Sequence, residues 1–198
     1  YDAAKINSRI ERAVTETRGQ IMHYGKELPY SWFHAHAGGV TELPKEALDY
    51  KEGNPGYVQV VESPDSDKAP TNVKNWTASF SAADVQAAAK QSGSDVGEIT
   101  SIAIGEKGES GRAINLLING ESVSAPTLRV NLDSTAMKST LLTGVKLANG
   151  QVTFSGRGYG HGVGMSQWGA YGMAEEGKTY QQIVHHYFKD VGIDTLWE

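Results

Sequence analysis

His34-Ala35-His36 places two imidazoles at positions i and i+2, which on an extended strand turn toward the same side. Two imidazoles so placed, with His161 as a third ligand, would make a zinc site. No third ligand lies near the pair in sequence, so the plainer reading is one histidine in a hydrogen-bond network and one exposed, with no metal and no cofactor. The second feature is Gly156-Arg157-Gly158-Tyr159-Gly160-His161-Gly162-Val163-Gly164, with glycine at every second position. If this run is extended, one face is bare backbone and the other carries Arg157, Tyr159, His161 and Val163. A bare face admits a ligand in a binding groove, or the close packing of another element, and both accounts stand at this point. Glu42 follows Ala37-Gly38-Gly39-Val40-Thr41 and would serve as a general acid only with a raised pKa. A lone glutamate after a glycine pair is ordinarily a solvated loop residue. Of His185-His186, one ring is expected to pack and the other to be solvated.

Other chemistries fail on spacing. The glycine run contains no G-x-G-x-x-G and no Walker lysine. Gly164-Met165-Ser166-Gln167-Trp168 resembles a nucleophile elbow, but its fifth position is tryptophan rather than glycine. Tyrosines and tryptophans can stack on sugar rings, yet most fall at helical or strand spacing and read as core.

The chemistry has to be positioned by an ordinary globular chain: 198 residues, 39% apolar and 21% charged. The net charge of −5, with both signs interspersed, argues against nucleic acid as the main partner. The absence of cysteine excludes disulfides, cysteine zinc sites and thiol catalysis. No apolar run approaches the roughly 20 residues of a membrane span, so membrane attachment would need an anchor outside this chain.

The patterning predicts an α+β fold, mainly antiparallel sheet with hairpins and several short helices. Asn7 to Arg18 reads as a helix with Ile10, Ala13 and Val14 on one stripe, stopped by Gly19. Ile21–Tyr24 and Leu28–His34 read as a hairpin turned at Gly25-Lys26, Pro44 to Tyr50 as a short helix and Tyr57–Val61 as a strand. Residues 62–75, rich in Ser, Pro, Asp and Lys, read as an exposed loop or linker. Trp76–Phe80 reads as a strand, leading into an alanine-rich helix capped by Ser81 and stopped by Gly93. Ile99–Ile104 and Ile114–Ile118 read as strands, the second turning at Asn119-Gly120, and Ser124-Ala125-Pro126 as a helix start. Leu141–Leu147 and Gln151–Phe154 form a hairpin across Asn149-Gly150. Met165–Glu176 and a segment opened by Thr179 and Gln182 read as the closing helices.

The run from Gly156 through Gly164-Met165-Ser166-Gln167-Trp168-Gly169-Ala170 closely resembles the signature of the stage II sporulation protein D and amidase enhancer LytB family. The resemblance continues through Met173-Ala174, Gly177, Tyr180, Ile183 and His186-Tyr187-Phe188. Phe33-His34-Ala35-His36-Ala37-Gly38-Gly39-Val40-Thr41-Glu42 is similar to the family's Phe-His-Ser-Thr-Ser-Gly-Gly-x-Thr-Glu stretch, with His36 where a small hydroxyl residue is usual. Leu128-Arg129 and Lys138-Ser139-Thr140 match two further elements. The likeness covers nearly the whole of 1–198 and implies a SpoIID/LytB-like domain, extracytoplasmic, at the cell wall or the outer face of the membrane.

It further implies processing of peptidoglycan glycan strands in engulfment. The activity implied is a lytic transglycosylase that cuts peptide-free glycan to 1,6-anhydro-muramic acid ends. A non-catalytic glycan-binding module or an enhancer of a cell-wall amidase is the alternative. The family's acid is a glutamate in a Glu-Met-Pro-like element that this chain does not contain, so the expectation is a catalytic glutamate upstream, with none assigned to Glu42. His34, Thr41, Glu42, Tyr159, His161 and Gln167 are the residues expected to bind substrate, Tyr159 by stacking and His161 by orienting substrate or acid.

Overall fold

The computed structural model describes residues 5–197. They form two units: residues 5–30 with 190–197, and Ser31–Lys189. The elements confirm an α+β fold, built from several small sheets rather than one large one.

The first unit holds helix α1 (Ser8–Glu16) and strand β1 (Gln20–His23), which pairs antiparallel with the last strand of the chain, Gly192–Thr195. Asn7 caps α1 by accepting from the backbone N–H groups of Arg9 and Ile10. None of the helix's residues is buried, and Ile10 and Val14 on its apolar stripe are exposed. The hairpin expected at Gly25-Lys26 does not form beyond a single bridge between Tyr24 and Glu27. β1 takes the distant C-terminal strand instead, a pairing with no local turn signal to announce it.

The second unit opens with β2 (Phe33–His34) and α2 (Pro44–Leu48), then α3 (Thr71–Lys74), β3 (Asn75–Ser81) and α4 (Ala82–Gln91). β4 (Ile102–Ile104), β5 (Asn115–Ile118) and β6 (Glu121–Ser124) follow, then α5 (Ala125–Leu132), β7 (Leu142–Ala148) and β8 (Gln151–Arg157). β9 (Met165–Ser166), α6 (Gln167–Glu175) and α7 (Tyr180–Tyr187) complete it, leaving Gly192–Thr195 as β10.

Two antiparallel three-stranded sheets, ordered β3-β8-β7 and β4-β5-β6, carry the apolar core. Each contains a hairpin whose two-residue turn is Asn-Gly, with positive φ at all four positions: Asn119, Gly120, Asn149 and Gly150. That geometry matches the right-handed twist of paired strands, which is why these turns were readable. Alternation along β8 sends Val152 and Phe154 inward, against Leu116, Ile118 and Val123 of the other sheet and Leu128 of α5. Caps place the helices over the sheets: Ser81 accepts from the Asp84 N–H, Ser124 from the Thr127 N–H, and Thr179 with Gln182 forms a full capping box.

Three expectations need correction. Tyr57–Val61 is not a strand; Val58 makes one isolated bridge, to Phe188. Residues 62–75 are indeed loop up to α3, but Ser63 and Ser66 are buried rather than exposed. Met165 and Ser166 are not helical: they form β9, which pairs in parallel with β2, Phe33 opposite Met165 and His34 opposite Ser166.

Candidate functional site

β2 and the segment after it lie directly against the glycine run. His36 and Tyr159 exchange both backbone hydrogen bonds, at 3.0 and 2.9 Å, and the Glu42 N–H donates to the Gly162 carbonyl at 2.9 Å. Beyond Arg157 the run leaves the sheet. Gly158, Gly160, Gly162 and Gly164 all have positive φ, so the chain zigzags where a strand was one expectation.

The bare face is filled by packing. A Cβ added at Gly156 would come within 3 Å of the Trp76 ring, at Gly158 of the His36 carbonyl and at Gly160 of the His34 Cβ. At Gly162 it would meet the Arg112 guanidinium, and at Gly164 the Trp32 carbonyl. Of the two accounts of the run, close packing of residues 32–42, Trp76 and Arg112 holds, and the glycine face itself is no groove.

Arg112 is the centre of this packing and is only 1% exposed. Its guanidinium donates to the Val40 carbonyl at 2.8 Å and to the Ala37 carbonyl at 2.5 Å, gripping the two ends of the Gly38-Gly39 turn. Burial pulls its pKa down to about 10, against the opposing pull of Glu42 and Asp65, so it stays charged at neutral pH. Asp65 grips the same turn by its N–H groups. Its carboxylate accepts from Ala37 N–H at 3.3 Å, Gly39 N–H at 3.1 Å, the Ser63 hydroxyl at 3.2 Å and the Ser166 hydroxyl. Ser63 is in turn bonded to the Tyr187 hydroxyl at 2.8 Å, and Ser166 also caps α6 through Gly169 N–H.

The solvated role expected for Glu42 is overturned: it is 1% exposed. One carboxylate oxygen accepts from Leu43 N–H at 3.0 Å, and the other from the N–H and hydroxyl of Ser110 at 3.0 and 2.6 Å. It is buried because Arg112 supplies the compensating charge and Ser110 the donors. Thr41, fully buried, donates to the Gln59 carbonyl and accepts from Val61 N–H. Both residues hold the turn's flank in place.

The histidines also depart from the plainer reading, since His34 and His36 are both buried. His34 Nδ1–H donates to the Val163 carbonyl at 3.1 Å, and the Val163 N–H donates to His161 Nδ1 at 3.0 Å, so one residue's backbone engages both rings. The two rings meet edge to face with centroids 5.6 Å apart. Burial, reinforced by Arg112 and by His161, holds the His34 pKa well below the usual range, and its Nε2 has no hydrogen-bond partner among the described residues. Burial likewise takes His161 down to about 4, although its hydrogen bond to the Phe33 backbone opposes this.

His36 turns elsewhere, accepting at Nδ1 from Gly38 N–H at 3.0 Å with the Asp65 carboxylate 3.4 Å away. Its pKa is lowered by burial more than Asp65 raises it. The three histidines therefore do not converge. Among the described residues no group of three His, Asp or Glu side chains is arranged to hold a metal ion.

A cleft of about 380 Å³ opens beside the turn, lined by His36, Asp65, Asp67, Lys74, Asn75 and Arg157 among others. The pairing of β3 with β8 sets Asn75 opposite Arg157, which brings Lys74 and Arg157 to the same end of that sheet. Tyr159 is half-buried, with the Lys138 ammonium 5.5 Å from its ring centroid, and Gln167 is exposed at the start of α6. Neither lines the cleft. A larger cleft, about 630 Å³, is lined by Lys45, Asp49, Tyr50 and Glu106 among others, but by none of the histidines or glycine-run residues. Sequence reading missed Asp65, Ser63, Ser110 and Arg112, and did not single out Lys74 or Arg157. The available signals were Arg112 preceded by Gly108 and Gly111, and Arg157 on the side-chain face of the run.

A protein family described as "Domain of unknown function (DUF8618)" matches residues 25–164. Stage II sporulation protein D of Bacillus amyloliquefaciens is 32% identical over 97% of this chain and 53% of its own length. An uncharacterized protein of Brachyspira hyodysenteriae is 31% identical over 96% of the chain and 50% of its own length. The amidase enhancer of Bacillus subtilis is 26% identical over 95% of the chain and 33% of its own length. The chain thus spans about half the length, or less, of the curated relatives it matches.

Proposed function

Because the chain belongs to the DUF8618 family and, through its curated relatives, to the stage II sporulation protein D and amidase enhancer LytB family, we propose that it holds peptide-free glycan strands of peptidoglycan, outside the cytoplasm, for cell-wall processing in sporulation. The reaction served is lytic transglycosylation. An acid protonates the glycosidic oxygen between muramic acid and glucosamine units, and the C6 hydroxyl of the muramic acid attacks its own anomeric carbon. The bond to the glucosamine breaks and a 1,6-anhydro ring forms. One residue acts first as acid and then as base, taking the hydroxyl proton, so no carboxylate nucleophile is needed.

The observation that carries this reading is the condition of the carboxyls beside the turn. Glu42 is sealed and Asp65 accepts from four donors, so both serve as anchors of the turn. What the site offers a strand is a rigid turn and an open polar cleft. On this reading the proton donor is the upstream glutamate that the family resemblance implies. No helix among the described residues is long and apolar enough to cross a membrane.

The test is a digest of amidase-treated, peptide-free strands, read by mass spectrometry for 1,6-anhydro ends. It is run with this chain alone and with any upstream coding sequence of its gene restored. Anhydro ends only from the longer protein are the expected result. Anhydro ends from the chain alone would overturn the placement of the acid. A second reading is favoured by the amidase enhancer relative: the same surface recruits a cell-wall amidase without cutting. It takes over if neither form cuts and added chain raises the rate of an amidase on intact wall.

A further inference from the structure

The cleft beside Gly38-Gly39 contains charge that the fold does not consume. Asp65 is used up by the donors from Ala37, Gly39, Ser63 and Ser166. Lys74 is partly committed, donating to the Asp67 carbonyl and lying 3.6 Å from the Asp67 carboxylate. Arg157 is different: its backbone is fixed by Leu141 and Ser139, but its exposed guanidinium makes no hydrogen bond or ion pair among the described residues.

His36 supplies the second open donor. Its side chain is 8% exposed, and because Nδ1 accepts from Gly38 N–H, the neutral ring carries its proton on Nε2. That Nε2–H has no partner among the described residues and still reaches solvent, on the floor of the cleft. Such a donor, on a ring held from behind by the Gly38 N–H, is preorganised for an acceptor that the protein itself does not provide.

We propose that this cleft is a subsite for a carboxylate on the bound strand, with Arg157 gripping it as a fork, His36 Nε2–H donating from the floor and Lys74 adding charge at the rim. One guanidinium and one neutral donor suit a single negative charge, and the planar fork matches two coplanar oxygens. The inference rests on the glycan reading above and deepens it. In peptide-free strands the lactyl group of muramic acid ends in a free carboxylate, whereas in strands that keep their peptides the same carbon is a neutral amide. A carboxylate subsite would therefore explain, from residues in this chain, how stripped strands are told from unstripped ones.

Two measurements test it, and they fail separately from the glycan reading. First, the protein is titrated with N-acetylmuramic acid, N-acetylglucosamine and dimethyl phosphate while the His36 imidazole resonances are followed by NMR. A saturable shift with N-acetylmuramic acid alone, abolished in Arg157→Gln, is expected. No shift, an equal shift with dimethyl phosphate, or a shift that survives Arg157→Gln overturns the proposal. Second, binding to peptide-free strands is compared with binding to the same strands after their carboxylates are converted to methylamides. Wild type should bind the native strands about tenfold to a hundredfold more tightly, as for a charge-assisted pair, and Arg157→Gln should bind both alike. Equal, firm binding of both strands by wild type sinks the subsite and leaves the glycan reading intact. Binding of neither strand, with the N-acetylmuramic acid shift present, sinks the glycan reading and leaves the carboxylate site.

Discussion

Residues 31–189 have two interiors of opposite chemistry. One is the apolar core of Trp76, Leu116, Ile118, Leu128 and Phe154 between two sheets. The other is polar, with Arg112 under the opposing pull of Glu42 and Asp65 and the Gly38-Gly39 turn gripped by carbonyl and N–H alike. The apolar core is held by area and shape, which many side-chain combinations satisfy. The polar interior is held by donor and acceptor geometry, where each missing partner leaves a buried group unsatisfied. A region that must tolerate only sequence drift can be built the first way. A region that must present a turn and a cleft in one conformation gains from the second.

The largest test of that contrast gives both interiors the same incoming residue. Leu128→Met should cost less than about 1.5 kcal/mol, because volume is nearly kept. Arg112→Met should cost about 3–5 kcal/mol, because it strands two buried carboxylates and two carbonyls. Urea unfolding of both variants decides it, and equal costs would break the comparison.

The next effect is on pH. His161 has a folded pKa of about 4 against an ordinary 6.5, so between those values the unfolded chain binds more protons than the folded one. Its contribution to stability is whole above pH 6.5, falls as pH drops toward 4, and is flat below. The loss is about 3 kcal/mol, and burial of His34 adds in the same direction. Melting temperatures from pH 7.5 to 4 should fall more steeply for wild type than for His161→Gln. Parallel curves would show that the polar interior does not carry the titration.

The smallest effect separates crowding from backbone strain. Gly162→Ala meets the guanidinium and needs positive φ, whereas Gly120→Ala needs positive φ but has open space. Costs of about 2–3 and about 1 kcal/mol are expected from denaturant midpoints. Equal costs would mean that Arg112 yields easily.

The same division decides what could be read from sequence. Asn119-Gly120, Asn149-Gly150 and the caps at Ser81, Ser124 and Thr179 are local devices, whose partners lie within three residues. β1 with β10 and β2 with β9 pair across more than a hundred residues through strands of four and two residues, too short to carry periodicity. The polar interior was partly legible: the glycine run and the 33–42 segment stood out, and they do meet. Its organisers did not, because Arg112 bonds to backbone carbonyls and Asp65 to backbone N–H groups and the hydroxyls of Ser63 and Ser166, none of which is marked by spacing in the sequence. Glu42 was misjudged for the same reason, since nothing near it in sequence announces Ser110.

The packed glycine run also has a genetic consequence. Any single-base change that turns a glycine codon into a codon for another amino acid adds a side chain, and each of the five positions from Gly156 to Gly164 already has a neighbour where that side chain would begin. Of the intervening residues, Arg157 is exposed and Tyr159 half-buried, whereas His161 belongs to the polar interior and Val163 is fully buried. A saturation-mutagenesis map of this stretch should therefore look like a comb only from Gly156 to Gly160, running into a solid forbidden block from His161 to Gly164. What varies between lineages would then be confined to the columns that face outward.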